Sequence, residues 1–205
     1  MEFLEGQSLA EFVKGRGLLP ADVAFAVLHQ VGHASLGRAR GGVVHCDLKP
    51  ENIFIAASQT VGVPFDVKVL DFGIARVVKD GRSSVTVTTA IGSPHWLAPE
   101  QGTKGRTVSP ATDVWSFGLI AFWMLSGRYY WKRANVPDAD LNLYALLGEI
   151  AGETPSCPRA SVSAPWARPG AVAAWLRRVV RLCVARDVNE RFANGGRRST
   201  RLRRR

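Results

Sequence analysis

The sequence predicts a mainly helical domain with a few short strands, an α+β arrangement, and three observations carry that expectation. Residues 111–127, ATDVWSFGLIAFWMLSG, are apolar almost all round, as a helix buried at the centre of a domain has to be. In PADVAFAVLHQVGHASLGRA, Val23, Val27 and Val31 recur every four residues, which lines them along one face of another helix. Between these stretches, FDVKVLDFG sets Val67 and Val69 against Asp66 and Lys68, the alternation of a half-buried strand.

The elements follow in chain order. Ser8 precedes LAEFV and is a candidate N-cap, because its hydroxyl can accept from a backbone N–H of the first turn. Pro20 suits the first turn of the Val23 helix, where its missing N–H costs nothing. NIFIAA is a short apolar run that reads as a strand, and FDVKV as a second one beside it. Residues 73–97 are rich in Ser, Thr and Gly and predict a long loop. The central helix should stop at Gly127. The Pro-rich stretch from Pro155 to Pro169 reads as irregular. GAVAAWLRRVVRLCVARD is amphipathic, with Val172, Leu176, Val179, Val180 and Cys183 on one face and arginines on the other. From Asn194 onward the apolar pattern ends, and residues 194–205 are expected to be a basic, disordered tail.

Composition narrows the class. With 46% hydrophobic and 21% charged residues, the 205-residue chain is globular and long enough to bury a core. The net charge of +10 is uneven: six arginines lie in the last nine residues, and without them the balance is +4. That tail has no aromatic interleaving, so no specific nucleic-acid partner is expected. Three cysteines, Cys46, Cys157 and Cys183, match no disulfide framework and no zinc spacing. There is no basic-then-apolar leader, and the longest apolar run, Gly118 to Leu125, is too short to cross a bilayer. A cytoplasmic protein without a membrane segment is the expectation. His29 and His33 lie four apart on a helix, but no third metal ligand is evident beside them.

The chemistry sits in two motifs, HCDLKPEN at 45–52 and DFG at 71–73. Phosphoryl transfer asks a protein to orient the nucleophile, hold a metal and neutralise developing charge. Asp47 can accept the proton of an attacking hydroxyl, and Lys49 can stabilise the transferring phosphate. Asn52 offers Mg²⁺ a neutral oxygen and Asp71 a charged one, the hard ligands that ion prefers.

These motifs, with APE at 98–100 and DVWSFG at 113–118 in the same order, resemble the C-terminal lobe of a eukaryotic-like Ser/Thr protein kinase of the bacterial type. The resemblance covers residues 1–193, which it implies are a partial protein-kinase domain, hinge plus C-lobe, mainly α with short strands at the catalytic cleft. It implies ATP and Mg²⁺ as cofactors and a protein bearing Ser or Thr as substrate. Asp47 and Lys49 take the catalytic positions, while Lys49, Asn52 and Asp71 face nucleotide and metal. The backbone of Glu2 and Leu4 falls where the hinge holds adenine, and Phe54 on the pocket floor. His45 and Phe72 match members of the hydrophobic spine, and Ser93 the hydroxyl that braces the catalytic Asp and Lys. Asp113 matches the anchor of the catalytic loop, and Glu100 with Arg191 a buried ion pair.

Two departures stand out. No Gly-rich loop, phosphate-pairing Lys or partnering Glu occurs in the 205 residues, so an N-terminal lobe is expected to be absent and the isolated chain inactive. Cys46 stands where the family usually has an Arg that binds a phosphorylated activation loop, so control through Ser83, Ser84, Thr86, Thr88 or Thr89 should weaken. Two other readings stay open: a noncatalytic pseudokinase remnant or scaffold, and a basic binding module built on the arginine tail.

Overall fold

Serine 8 opens the first helix as expected. In the computed structural model, which describes residues 5–40, 43–58, 60, 64–71, 76–77, 83–84, 94–102, 107–137, 140–152 and 178–191, helix α1 spans Leu9–Arg16. The Ser8 hydroxyl accepts from Glu11 N at 3.2 Å while the Glu11 carboxylate accepts from Ser8 N at 2.9 Å. This reciprocal cap satisfies two donors that a helix start leaves orphaned. Helix α2, Ala21–Arg40, opens just after Pro20, whose carbonyl accepts from Ala24 N at 2.9 Å. Val27 and Val31 are buried and Val23 is partly so, as the period of four requires.

Three antiparallel strands form a small sheet in the order β1–β3–β4: β1 is Gly6–Ser8, β3 is Ile53–Ala57 and β4 is Phe65–Val69. Ile53 pairs with Val69 and Ala57 with Phe65, so β3 and β4 are a hairpin whose open end lies at Asn52 and Leu70. The expected alternation in β4 is absent; only Phe65 is buried and the other four residues are half-buried. Its outer edge meets α2. The Gln30 side chain of α2 accepts from Val67 N at 2.9 Å and donates to Phe65 O at 3.3 Å. The helix thus lies along the strand, and Gln30 takes up backbone groups on its free edge. The segment expected to be a plain loop carries two short strands: β5, Arg76–Val77, pairs with β2, Val43–Val44, and β6, Ser83–Ser84, with β7, Thr107–Val108.

Helix α3, Pro110–Ser126, is the buried central helix, and Gly127 ends it at φ 65°. That left-handed turn is one glycine reaches without a Cβ clash. Trp115, Leu119, Ile120 and Met124 pack against Leu9, Val27, Val31, Leu48 and Ile53 in one core. Helix α4, Leu143–Gly152, is an element the sequence reading passed over. Asn142 Oδ1 accepts from Ala145 N at 3.0 Å at its start, and the Arg186 guanidinium donates to the carbonyls of Ile150 and Ala151, both at 2.7 Å, at its end. Of the expected amphipathic helix, residues 178–183 are described as helical, with Val180 and Cys183 buried and Arg178 and Arg181 exposed.

Gly118 is where that segment meets α3. A Cβ there would lie 2.4 Å from Cys183 Cβ, so the close approach of the two helices excludes any side chain. Burial pushes the Cys183 thiol from 9.0 up to about 12. The folded protein then keeps this proton while the unfolded chain releases it, and stability falls as pH rises from 9 toward 12. At pH 10 the loss from this group is on the order of 1 kcal/mol. Urea unfolding at pH 8 and 10 should show that drop in the parent and a smaller one in Cys183→Ala. Equal drops would remove Cys183 as the cause.

Candidate active site

Short strand β2 leads directly into residues 45–49, and the single 3-10 turn Pro50–Asn52 returns the chain to β3. Asp113, in the first turn of α3, organises this loop from beneath. Its Oδ2 accepts from His45 N at 2.8 Å and its Oδ1 from Cys46 N at 3.0 Å. Burial pushes the Asp113 carboxyl up, and the two backbone N–H donors pull it back toward the charged form. The anchor lets Cys46 hold φ 66°, a left-handed conformation that costs a non-glycine residue about 1–2 kcal/mol.

The His45 ring joins the loop to the strand hairpin. Nδ1 accepts from Asp47 N at 3.2 Å, which leaves the proton on Nε2, and Nε2 donates to Leu70 O at 2.9 Å. Leu70 N in turn donates to Asn52 O at 2.7 Å. The hairpin end is therefore stitched to the loop immediately ahead of Asp71. Asp71 has φ 56° and is exposed.

Asp47, Lys49 and Asn52 are brought together. Lys49 Nζ lies 2.9 Å from Asp47 Oδ2, with the two side chains 21% and 14% exposed. Asn52 Nδ2 donates to Asp47 O at 2.9 Å and to Asp47 Oδ2 at 3.2 Å. That commitment fixes the amide orientation and leaves the Asn52 carbonyl oxygen as the atom to offer a cation. The result is a carboxylate held by an amide and an ammonium, with Asn52 and Asp71 entering from the same end of the hairpin. Such a set can take a proton from a hydroxyl, and its oxygens suit Mg²⁺. Phe54 is half-buried on β3, paired with Ser8 on one side and Lys68 on the other.

Glu100 and Arg191 form the buried pair that the resemblance implied. Arg191 Nη1 and Nη2 reach Glu100 Oε1 and Oε2 at 2.6 and 3.0 Å. Thr112 Oγ1 donates to Glu100 Oε1 at 3.0 Å, Arg191 also donates to Ala111 O at 3.0 Å and Ala185 O at 2.6 Å, and its guanidinium lies 4.6 Å from the centre of the Trp115 ring. Glu2, Leu4, Phe72 and Ser93 lie outside the described residues, as do Thr86, Thr88 and Thr89 and the tail at 194–205.

Sequence reasoning missed Gln101. Its Nε2 donates to Cys46 O at 2.6 Å and its Oε1 accepts from Ala98 N at 3.0 Å. The one available signal was its position directly after the APE motif. Ser116, within the DVWSFG motif, donates from Oγ to Trp96 O at 2.9 Å and pins residues 94–96 to the central helix. His29 and His33 are a ring pair 4.5 Å apart, and no group of three metal-ligating side chains occurs among the described residues. Cys46 and Cys183 are free thiols. Among the described residues no helix is long and apolar enough to cross a membrane.

The family profile described as protein kinase domain matches residues 1–195. The chain is 32% identical over 199 residues to a serine/threonine-protein kinase of Corynebacterium efficiens, covering 95% of this chain and 33% of that protein. It is 35% identical over 194 residues to a serine/threonine-protein kinase of Myxococcus xanthus, covering 95% of this chain and 25% of the relative. A second kinase from Myxococcus xanthus is 40% identical over 130 residues, covering 62% of this chain and 15% of the relative. The chain thus spans about a third or less of the length of these relatives.

Proposed function

The chain belongs to the protein kinase family, among its serine/threonine members, and from that premise we propose that it carries the transfer machinery for moving the γ-phosphoryl of ATP to Ser or Thr hydroxyls of proteins. The observation that carries this reading is the Asp47–Lys49–Asn52 cluster, set on the Asp113 anchor and closed by the hairpin end at Asp71.

Asp47 accepts the proton of the acceptor hydroxyl as that oxygen attacks the γ-phosphorus. The bond to the bridging oxygen breaks and ADP departs. Lys49 neutralises charge on the transferring oxygens, and the Asn52 amide keeps the Asp47 carboxylate aimed. Asn52 and Asp71 would hold Mg²⁺, which when bound offsets the charge of the phosphates. On this reading Phe54 would lie beneath adenine, and the family resemblance assigns adenine's hydrogen bonds to the backbone of Glu2 and Leu4. Residues 1–193 make up the kinase portion and 194–205 a basic appendage. A cytoplasmic location goes with the free thiols and with ATP as donor.

These 205 residues contain no Gly-rich phosphate loop, so nucleotide binding by the chain alone is expected to be weak. A site open on one side buries too little of its ligand, and a Kd near millimolar, on the order of −4 kcal/mol, is the expectation. Titration with ATP and Mg²⁺, followed by amide chemical shifts, should move residues around Asn52, Phe54 and Asp71. Asp71→Asn should remove the Mg²⁺ dependence. Shifts confined to other surfaces would favour the alternative of a noncatalytic scaffold.

A further inference from the structure

One peptide plane in the loop is held from both of its sides. The peptide joining Cys46 to Asp47 donates its N–H to His45 Nδ1 at 3.2 Å and accepts at its C=O from Gln101 Nε2 at 2.6 Å. The orientation of that plane sets the direction in which the Asp47 carboxylate leaves the backbone. Gln101 cannot turn its amide over, because Oε1 is taken by Ala98 N at 3.0 Å. The 3-10 turn that carries Gln101, Pro99–Gln101, is itself anchored through Glu100 to Arg191 and Thr112. Gln101 is therefore a short rigid strut between the segment at 94–102 and a loop 55 residues earlier in sequence.

We propose that Gln101 is a positioning residue for Asp47: by clamping the Cys46–Asp47 peptide it makes the arrangement of segment 94–102 decide where the Asp47 carboxylate points. The proposal rests on the reading of Asp47 as the proton acceptor. Its consequence is that any event reordering 94–102, such as arrival of a protein substrate there, is passed to Asp47 through one hydrogen bond. The Cys46 side chain turns the other way, its Sγ lying 3.7 Å from Val44 O.

The test uses amide hydrogen exchange by NMR on the 205-residue chain, with Gln101→Glu and Gln101→Ala. Glu keeps an acceptor for Ala98 N and loses the donor to Cys46 O, while Ala loses both. The Asp47 amide should exchange at least tenfold faster in both variants, and the Ala98 amide only in Gln101→Ala. The amides of Leu119 and Ile120, buried on α3, should be unchanged. An unaltered Asp47 amide in both variants overturns the proposal. So does a parallel rise at Asp47, Leu119 and Ile120, which would make Gln101 a general stabiliser only. Exchange is read without turnover. Absence of Asp47-dependent transfer by the chain joined to the N-terminal half of a related kinase domain would therefore sink the function reading while leaving the clamp as measured.

Discussion

Joined to the N-terminal half of a related kinase domain, the chain is expected to phosphorylate Ser/Thr peptides, and Asp47→Asn is expected to reduce that rate by about 10²–10⁴-fold, the usual worth of a positioned proton acceptor. The chain alone should show negligible transfer, because its sequence carries no Gly-rich phosphate loop and no phosphate-pairing Lys motif, and positioning is worth about 7–11 kcal/mol. Asp47→Asn is informative because it spares the shape. The Asp47 backbone still meets His45 and Asn52, but the side chain can no longer take a proton, and its ion pair with Lys49 is gone. Cys46 sharpens the experiment. Its backbone is held by Asp113 and Gln101, so Cys46→Ser should change the rate little. With Cys in place of an Arg, treatment with a phosphatase should also leave the joined enzyme active. Initial rates for the parent and both variants, with and without phosphatase, decide the matter. Full activity in Asp47→Asn would overturn the assignment of Asp47, and loss of activity on phosphatase treatment would overturn that of Cys46.

Removing the Glu100 carboxylate is expected to cost about 3–5 kcal/mol of stability, since it strands a guanidinium in the interior. Arg191 is 0% exposed, so bulk water does not reach the guanidinium in place of the lost partner. The converse change, Arg191→Ala, leaves Glu100 with Thr112 alone among the partners described and should cost a similar amount. Thr112→Ala removes a donor to the Glu100 carboxylate and the acceptor for Ser109 N, and should cost about 1.5–3 kcal/mol. Replacing Glu100 and Arg191 together by apolar residues of similar size should recover much of the loss, because no buried charge is then left unpaired. Urea unfolding midpoints for the four variants measure this directly. A loss below about 1 kcal/mol for Glu100→Ala would mean that Arg191 finds water or another acceptor, and the buried pair would then be a weak contributor.

The same pair shows how sequence and tertiary structure divide the work. Glu100 and Arg191 lie 91 residues apart. No periodicity links them; only the resemblance pointed to the pairing, and only the packed fold supplied Thr112, Ala111, Ala185 and Trp115 around it. Helix α4 escaped the sequence reading for a related reason. Asn142 caps its start, but its end is satisfied by Arg186 from a distant segment, a contact that leaves no local mark.

What the sequence determined by itself was local. Ser8 and Glu11 are three apart, so their reciprocal cap depends on nothing beyond one helical turn. The apolar circumference of 111–126 required burial wherever it went, and Gly127 had the freedom to end it. The order of HCDLKPEN, DFG and APE pointed to Asp47, Lys49, Asn52 and Asp71 as the candidate chemistry-bearing set. The tertiary structure decided everything that depends on two segments meeting. It laid Gln30 along the edge of β4, where Val67 and Val69 are half-buried like Asp66 and Lys68. It put Gly118 against Cys183, so that a glycine inside a helix became a contact surface. It gave Gln101, silent in the sequence, the carbonyl of Cys46. A short-range pattern is written in residue spacing, because bond geometry fixes the period. A long-range hydrogen bond is written nowhere until the core brings its two ends within 3 Å.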